Sequence, residues 1–333
     1  LASGEGYPLT SYPVPVPEYA FPPGWPLMLA GFVRLFPDNF RVLQLLSLAF
    51  WLATIVLISA LFRSRLPYPY WLFVLVVTAV SPSLVGMSTM VMSESAYTFF
   101  SVLAVVLWER WETCQSSSNR SHIHLVATVI LTVWVTYIRS VGFSLLLAMY
   151  LLLLWTRRVR QLGAAFAIST VALLAQVIVN IKSGGGLVSP GYEQQVFQIG
   201  SLSDKLSHIL SNLHTYLISL VPNAIIPVFG PRLAGIVGTG DMSVAVTYAP
   251  VLVVIPIVVG MTIIVSSLGP RLPEIYVFAY FATINLFWNP AVGSAQARFL
   301  IPIMPFLFLY LFVGICAISG FGRFRSARLP IFV

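Results

Sequence analysis

The chain has 333 residues, of which 58% are hydrophobic and only 8% charged, with a mean hydropathy of +0.92 and a formal net charge of +8. A chain so poor in charge cannot cover a soluble domain of this size with polar surface, so the composition argues against a water-soluble protein and for an integral, multi-pass membrane protein. The basic pI near 9.7 does not signal nucleic acid, because the Lys and Arg residues are scattered between apolar segments, where they act as topology signals.

Residues 1–38 are dense in Pro, Gly and Tyr. Pro8, Pro13, Pro15, Pro17, Pro22 and Pro23 each fix φ and remove an N–H, so 8–23 can form neither helix nor interior strand. At Pro26 an apolar run over 27–36 predicts a short helix on the membrane surface. Nine stretches then approach the roughly 20 helical residues that a hydrocarbon core requires. They are 43–62, 69–88, 95–110, 123–138, 141–156, 161–180, 246–266, 274–289 and 299–319. Ser81-Pro82-Ser83 interrupts the second, and Asn285 lies in the eighth. Such breaks are tolerated where neighbouring helices or a water-filled cavity satisfy the freed backbone. Cys114 and Cys316 show no metal-type spacing and no reason to pair.

Charge sets the orientation. Arg63, Arg65, Arg110, Arg120, Arg157, Arg158, Arg160, Arg271, Arg323, Arg325 and Arg328 fall on one side, 11 of the 18 basic residues, mostly in short loops. Arg34, Arg41, Arg139, Lys182, Lys205, Arg232 and Arg298 fall on the other, spread through longer ones. The first side is therefore cytoplasmic. The predicted organisation is an extracytoplasmic loop with an interfacial helix (1–41), transmembrane helices (42–180), a second such loop (181–245), further transmembrane helices (246–320) and a cytoplasmic tail (321–333). Within the second loop an apolar piece, 209–229, broken by Pro222 and Pro227, reads as a helix lying in the interface. The sequon at Asn119 falls on the cytoplasmic side and should be silent.

There is no phosphate-cradling Gly-rich loop, HExxH or CxxC, and no internal repeat. Five strings nevertheless resemble, in order, motifs of the GT-C superfamily of polytopic glycosyltransferases: LASGEGY (1–7), YAFPPGWPLMLAGFVRLF (19–36), MSESAYTFFSVLAVVLWER (92–110), YIRSVGFSLLLAMYLLLLW (137–155) and ARFLIPIMPFLFLYLF (297–312). They are most similar to the prokaryotic branch related to protein O-mannosyltransferases and lipid A aminoarabinose transferases. The resemblance implies an all-α, GT-C-like helical bundle in a prokaryotic plasma membrane. It implies transfer of a sugar from a polyprenyl-phosphate carrier to an acceptor glycan, lipid or protein on the extracytoplasmic face, and it admits a divalent metal. Relatives carry a first span and a catalytic Asp just upstream of the LASGEGY-like string, so that Asp is expected to lie ahead of Leu1.

Sugar transfer from a phosphate requires a base for the acceptor hydroxyl and a cation for the phosphate charge. Arg298, opening the last span, and Arg139, between two spans, are donor-phosphate candidates, since a guanidinium fork matches phosphate. The alternatives are snorkelling to headgroups or pairing with Glu94. Glu94 reads either as an acid in a helix first turn, behind a Ser93 N-cap, or as a supporting partner for one of those arginines. Glu5, between two glycines, reads as a turn residue, and Glu18 could face a cavity; either would stand in as base only without the upstream Asp. Tyr7 and Tyr12 could stack on sugar or sit in the interfacial belt, and Trp25 belongs to that belt. His208 and His214, six apart, do not suggest a metal site, and Asp241 reads as a turn. The competing expectation is a transporter or a non-catalytic scaffold or inactive homologue.

Overall fold

The computed structural model describes residues 8–9, 16–17, 22–113, 118–182, 201–226, 251–287 and 297–320. Almost all of them are helical. The exception is a two-residue antiparallel pair, β1 (Pro8–Leu9) with β2 (Val16–Pro17), in which both strands are edges, the one setting that a proline strand tolerates.

The helices are α1 (Gly24–Leu35), α2 (Phe40–Arg65), α3 (Tyr70–Ala79), α4 (Pro82–Ser88), α5 (Ser93–Thr113), α6 (Ser118–Ile138), α7 (Phe143–Trp155) and α8 (Val159–Lys182). After them come α9 (Leu202–Thr215), a π-helical turn (Tyr216–Leu220), α10 (Val221–Ile225), α11 (Val251–Leu268), α12 (Leu272–Phe287) and α13 (Met304–Ile318). Short 3-10 turns, Ser140–Gly142 and Ala297–Leu300, introduce α7 and α13. Helix occupies each of the nine stretches expected to span. Of these helices, α2 is long and apolar enough to cross a membrane, and the α3–α4 pair, bent by 53° at the Ser81-Pro82 break, would make a second crossing. Elsewhere the apolar helical stretches are shorter, 10–17 residues, as in His122–Ile138 of α6, Val159–Leu174 of α8 and Leu252–Leu268 of α11. Helix α5 is longer, at 21 residues, but Glu94, Glu109, Arg110 and Glu112 lie within it.

The chain divides into two compact units, one built from residues 1–54 and 88–200 and the other from 55–87 and 201–333. In the first, α6 is the hub: it packs along α5 and also meets α1, α7 and α8. Small hydroxyl residues make that packing close. Thr128, Thr132 and Thr136, spaced i, i+4, i+8 on α6, are buried, as are Ser95, Thr98 and Ser101 on α5. A buried hydroxyl needs an acceptor, and Thr132 and Thr98 donate to the carbonyls of Thr128 and Glu94, four residues back, at 2.8 and 2.7 Å.

In the second unit α11 and α13 are pressed together at glycines. A Cβ on Gly260 would lie 1.9 Å from the Tyr310 carbonyl oxygen, and one on Gly314 1.8 Å from that of Pro256, so only glycine lets the two backbones cross there. Helix α13 also packs on α3, while α10 touches α11 and the turn before α13.

Three local expectations are corrected. Trp25, assigned to the interfacial belt, is buried at 7% exposure with its ring on Phe50, 6.5 Å between centroids. The helix expected over 209–229 begins earlier, at Leu202, because Ser201 and Asp204 form a capping box: the Asp204 amide donates to the Ser201 hydroxyl and the Ser201 amide to the Asp204 carboxylate. Pro222 does not break that helix. It sits in the first turn after the π-helical segment, where its missing N–H is not needed.

Candidate functional site

Within the first unit the chain leaves α6 at Arg139 in an extended conformation (φ −149°, ψ 137°) and turns at once into Ser140–Gly142. That turn presents Arg139 to the start of α5. Its guanidinium lies 2.6 Å from a carboxylate oxygen of Glu94 and donates to the Ser93 hydroxyl at 3.3 Å. The Glu94 side chain is 3% exposed and that of Arg139 17%. Ser93, expected as the cap of α5, is its first residue, and its hydroxyl serves Arg139. The same unit holds a chain of rings: Trp25 on Phe50, Phe50 on Phe99 and Phe100, Phe100 on Trp134, and Trp134 stacked on Tyr137. Gly24 fixes the approach of α1, since a Cβ there would meet the Tyr137 carbonyl oxygen at 2.6 Å.

Arg298 belongs to the second unit. It lies in the 3-10 turn before α13, which the buried Tyr280 holds by donating to the Phe299 carbonyl at 2.6 Å. The Arg298 guanidinium sits over the Phe299 ring, 5.0 Å from its centroid, and its Nε is buried with no hydrogen-bond partner among the described residues. Nearby in the fold, α9 packs on α12. The Asn212 amide donates to the Asn285 backbone carbonyl at 3.1 Å and meets the His208 ring at 3.1 Å. Tyr216, four residues beyond Asn212, opens the π-helical turn and lays its fully buried ring against Phe281. Burial pushes the pKa of its phenol up, so the group stays protonated.

A further charged group of the second unit escaped the sequence reading. Arg65 and Glu274, 3% and 2% exposed, form an ion pair at 2.5 Å, and the Tyr310 hydroxyl donates to the same Glu274 oxygen at 3.3 Å. The signal was present: an acid in the first turn of an apolar helix and an Arg closing another are both costly at membrane depth unless paired.

Glu5, Glu18, Tyr7, Tyr12 and Asp241 lie outside the described residues. His214 is exposed, and among the described residues no group of three or more His, Cys, Asp or Glu side chains could hold a metal ion. The structure thus joins Glu94 to Arg139 and shows Arg298 as a half-buried cation, its Nε buried, without a carboxylate partner among the described residues. The chain matches no known protein-family model, no curated protein and no solved structure.

Proposed function

We propose that this chain is the body of an integral membrane glycosyltransferase of GT-C type, with about nine transmembrane helices and two large extracytoplasmic loops. It moves a sugar from a polyprenyl-phosphate donor to a glycan, lipid or protein acceptor on the extracytoplasmic face of a prokaryotic plasma membrane. The observation that carries this reading is Arg298. The Arg298 side chain is half-buried, and its Nε–H is buried with no partner among the described residues; an anionic ligand such as a donor phosphate would satisfy it and meet the exposed part of the guanidinium. The ordered motif strings and the strongly apolar composition support the same reading.

Arg139 plays a different part from Arg298. Glu94 and Ser93 already engage it, so it anchors the start of α5 to the end of α6 and meets a phosphate only as a shared cation. Glu94 is its positioning partner. Glu5 or Glu18 supplies the base only where no upstream Asp does so.

Full-length protein in proteoliposomes loaded with polyprenyl-phosphate sugars provides the test. Arg298→Ala is expected to lower transfer about 100-fold, the usual cost of deleting one charge-stabilising donor, with Arg298→Lys partly active. Transfer at the wild-type rate by a well-inserted Arg298→Ala protein sinks the assignment. The bent α3–α4 pair and the buried Arg65–Glu274 pair favour a second reading, a transporter, since broken helices and intramembrane charges are features of such proteins. Uptake of a sugar or ion by the same vesicles, without release of polyprenyl phosphate, would replace the transferase with that reading.

A further inference from the structure

Two more side chains of the second unit, both more deeply buried than Arg298, carry a polar atom that is left over. The Tyr216 hydroxyl and the Asn285 Oδ1 are buried and find no hydrogen-bond partner among the described residues. They come from separate elements. Tyr216 opens the π-helical turn between α9 and α10, and Asn285 stands on the last turn of α12. Their elements are tied together: the Tyr216 ring touches Phe281, one turn before Asn285, and Asn212, one turn before Tyr216, donates to the Asn285 carbonyl. Asn285 is itself held in place, its amide donating to the Phe281 carbonyl at 2.7 Å, so that its oxygen is the part left over.

A π-helical turn inserts an extra residue into a helix and costs regular hydrogen bonding, and such turns concentrate at functional sites. Here it sets the register of Tyr216. Buried polar atoms without partners are rare in proteins, each costing about 1–3 kcal/mol, and a donor, an acceptor and a cationic N–H in one unit are not explained by packing. The Tyr216 phenol is a donor and the Asn285 carbonyl an acceptor, a combination that matches neighbouring hydroxyls on a sugar ring.

We propose that Tyr216 and Asn285 form a hydroxyl-recognising subsite for the sugar whose phosphate faces Arg298, and so determine which sugar the protein accepts. This rests on the transferase reading above. A site built to hydrogen-bond a hydroxyl rejects an analogue lacking it, because its own buried groups then stay unpaired.

The experiment measures binding and transfer separately, on full-length protein in detergent. The probes are a short-chain prenyl-phosphate hexose and the corresponding series of monodeoxy hexoses. Wild-type protein is expected to bind one or more hydroxyl-bearing probes at least 10-fold more tightly than the matching deoxy probe. Tyr216→Phe and the near-isosteric Asn285→Leu should each erase that preference at one ring position. Tyr216→Phe should also leave the thermal midpoint of the ligand-free protein unchanged or raised, since it deletes a hydroxyl with no partner among the described residues. Loss of binding together with a lowered midpoint would mark a structural role and overturn the proposal. So would variants that discriminate as the wild type does, or a wild type that does not discriminate. Discrimination without any transfer would instead remove the transferase reading and leave the subsite standing, while transfer without discrimination removes the subsite alone.

Discussion

At the scale of single residues, the buried charges of the described residues hold the fold, while Arg298 is half-buried and its Nε has no partner among them. Arg65 and Glu274 are nearly inaccessible and meet through one carboxylate oxygen, with Tyr310 as a second donor. Removing one partner of such a pair strands the other charge in an apolar setting, which costs about 3–5 kcal/mol, whereas removing both costs far less. Glu274→Leu and Arg65→Met are therefore each expected to lower the unfolding midpoint sharply. The double variant Arg65→Met/Glu274→Leu should recover most of the loss. A simple sum of the two single effects would show that the pair is not coupled. Neither residue stood out in the sequence as chemistry. Arg65 served as a topology marker and Glu274 as the edge of a span, because nothing local says that residues 209 positions apart meet. Glu94 with Arg139 was easier to read, since a first-turn acid and an arginine at a helix end were both expected to need partners.

At the scale of elements, the two most specific features are a crossing and a cap. Helices α11 and α13 approach at Gly260 and Gly314, where an added Cβ would drive into a backbone carbonyl rather than into a yielding side chain. Gly314→Ala or Gly260→Ala forces the helices apart and is expected to cost about 1–3 kcal/mol, with a larger residue costing more; a differential scan of the detergent-solubilised variants checks this. An unchanged midpoint for both would mean that the helices do not cross there. The cap of α9 is sensitive to pH. Hydrogen bonds from the Ser201 hydroxyl and amide hold the Asp204 carboxyl below the usual carboxylate range. A carboxylate with a depressed native pKa stabilises at pH values above its unfolded pKa of about 3.9, and that contribution disappears as pH falls through the native value. The first turn of α9 should therefore fray only below about pH 4. Relative to an Asp204→Ala protein, its amides should exchange more slowly at neutral pH and alike in strong acid. The Ser-x-x-Asp spacing at 201–204 made this cap legible in the sequence, although attention to the apolar run further on placed the helix start too late. The π-helical turn had no such signal, since its register depends on what α12 presents to it.

At the scale of the whole molecule, sequence and structure agree on helix and divide on crossing. Apolar runs between polar breaks fixed where the helices lie, because a helix satisfies the backbone amides of an apolar segment within the segment itself. They did not fix which helices cross, because several are shorter than the roughly 20 residues a straight span requires and their ends depend on partners. The distribution of arginines predicts a sidedness, and three exposed positions turn it into a measurement. After Cys114 and Cys316 are replaced by Ser, single cysteines are placed at Thr113, Ser207 and Ser266, one per protein, and challenged with a membrane-impermeant maleimide. With 1–41 and 181–245 outside, Ser207→Cys is expected to label in intact cells, while Thr113→Cys and Ser266→Cys label only after permeabilisation. The apolar segment around the π-helical turn is what makes the third probe decisive. If 209–229 crosses rather than lying in the interface, every later helix flips and Ser266→Cys labels from outside while Thr113→Cys does not. That result would move Arg298 to the cytoplasmic side and end the proposal that it faces an extracytoplasmic donor phosphate. Protection of Ser266→Cys in intact cells keeps Arg298 on the same side as both large loops, as the proposed chemistry requires.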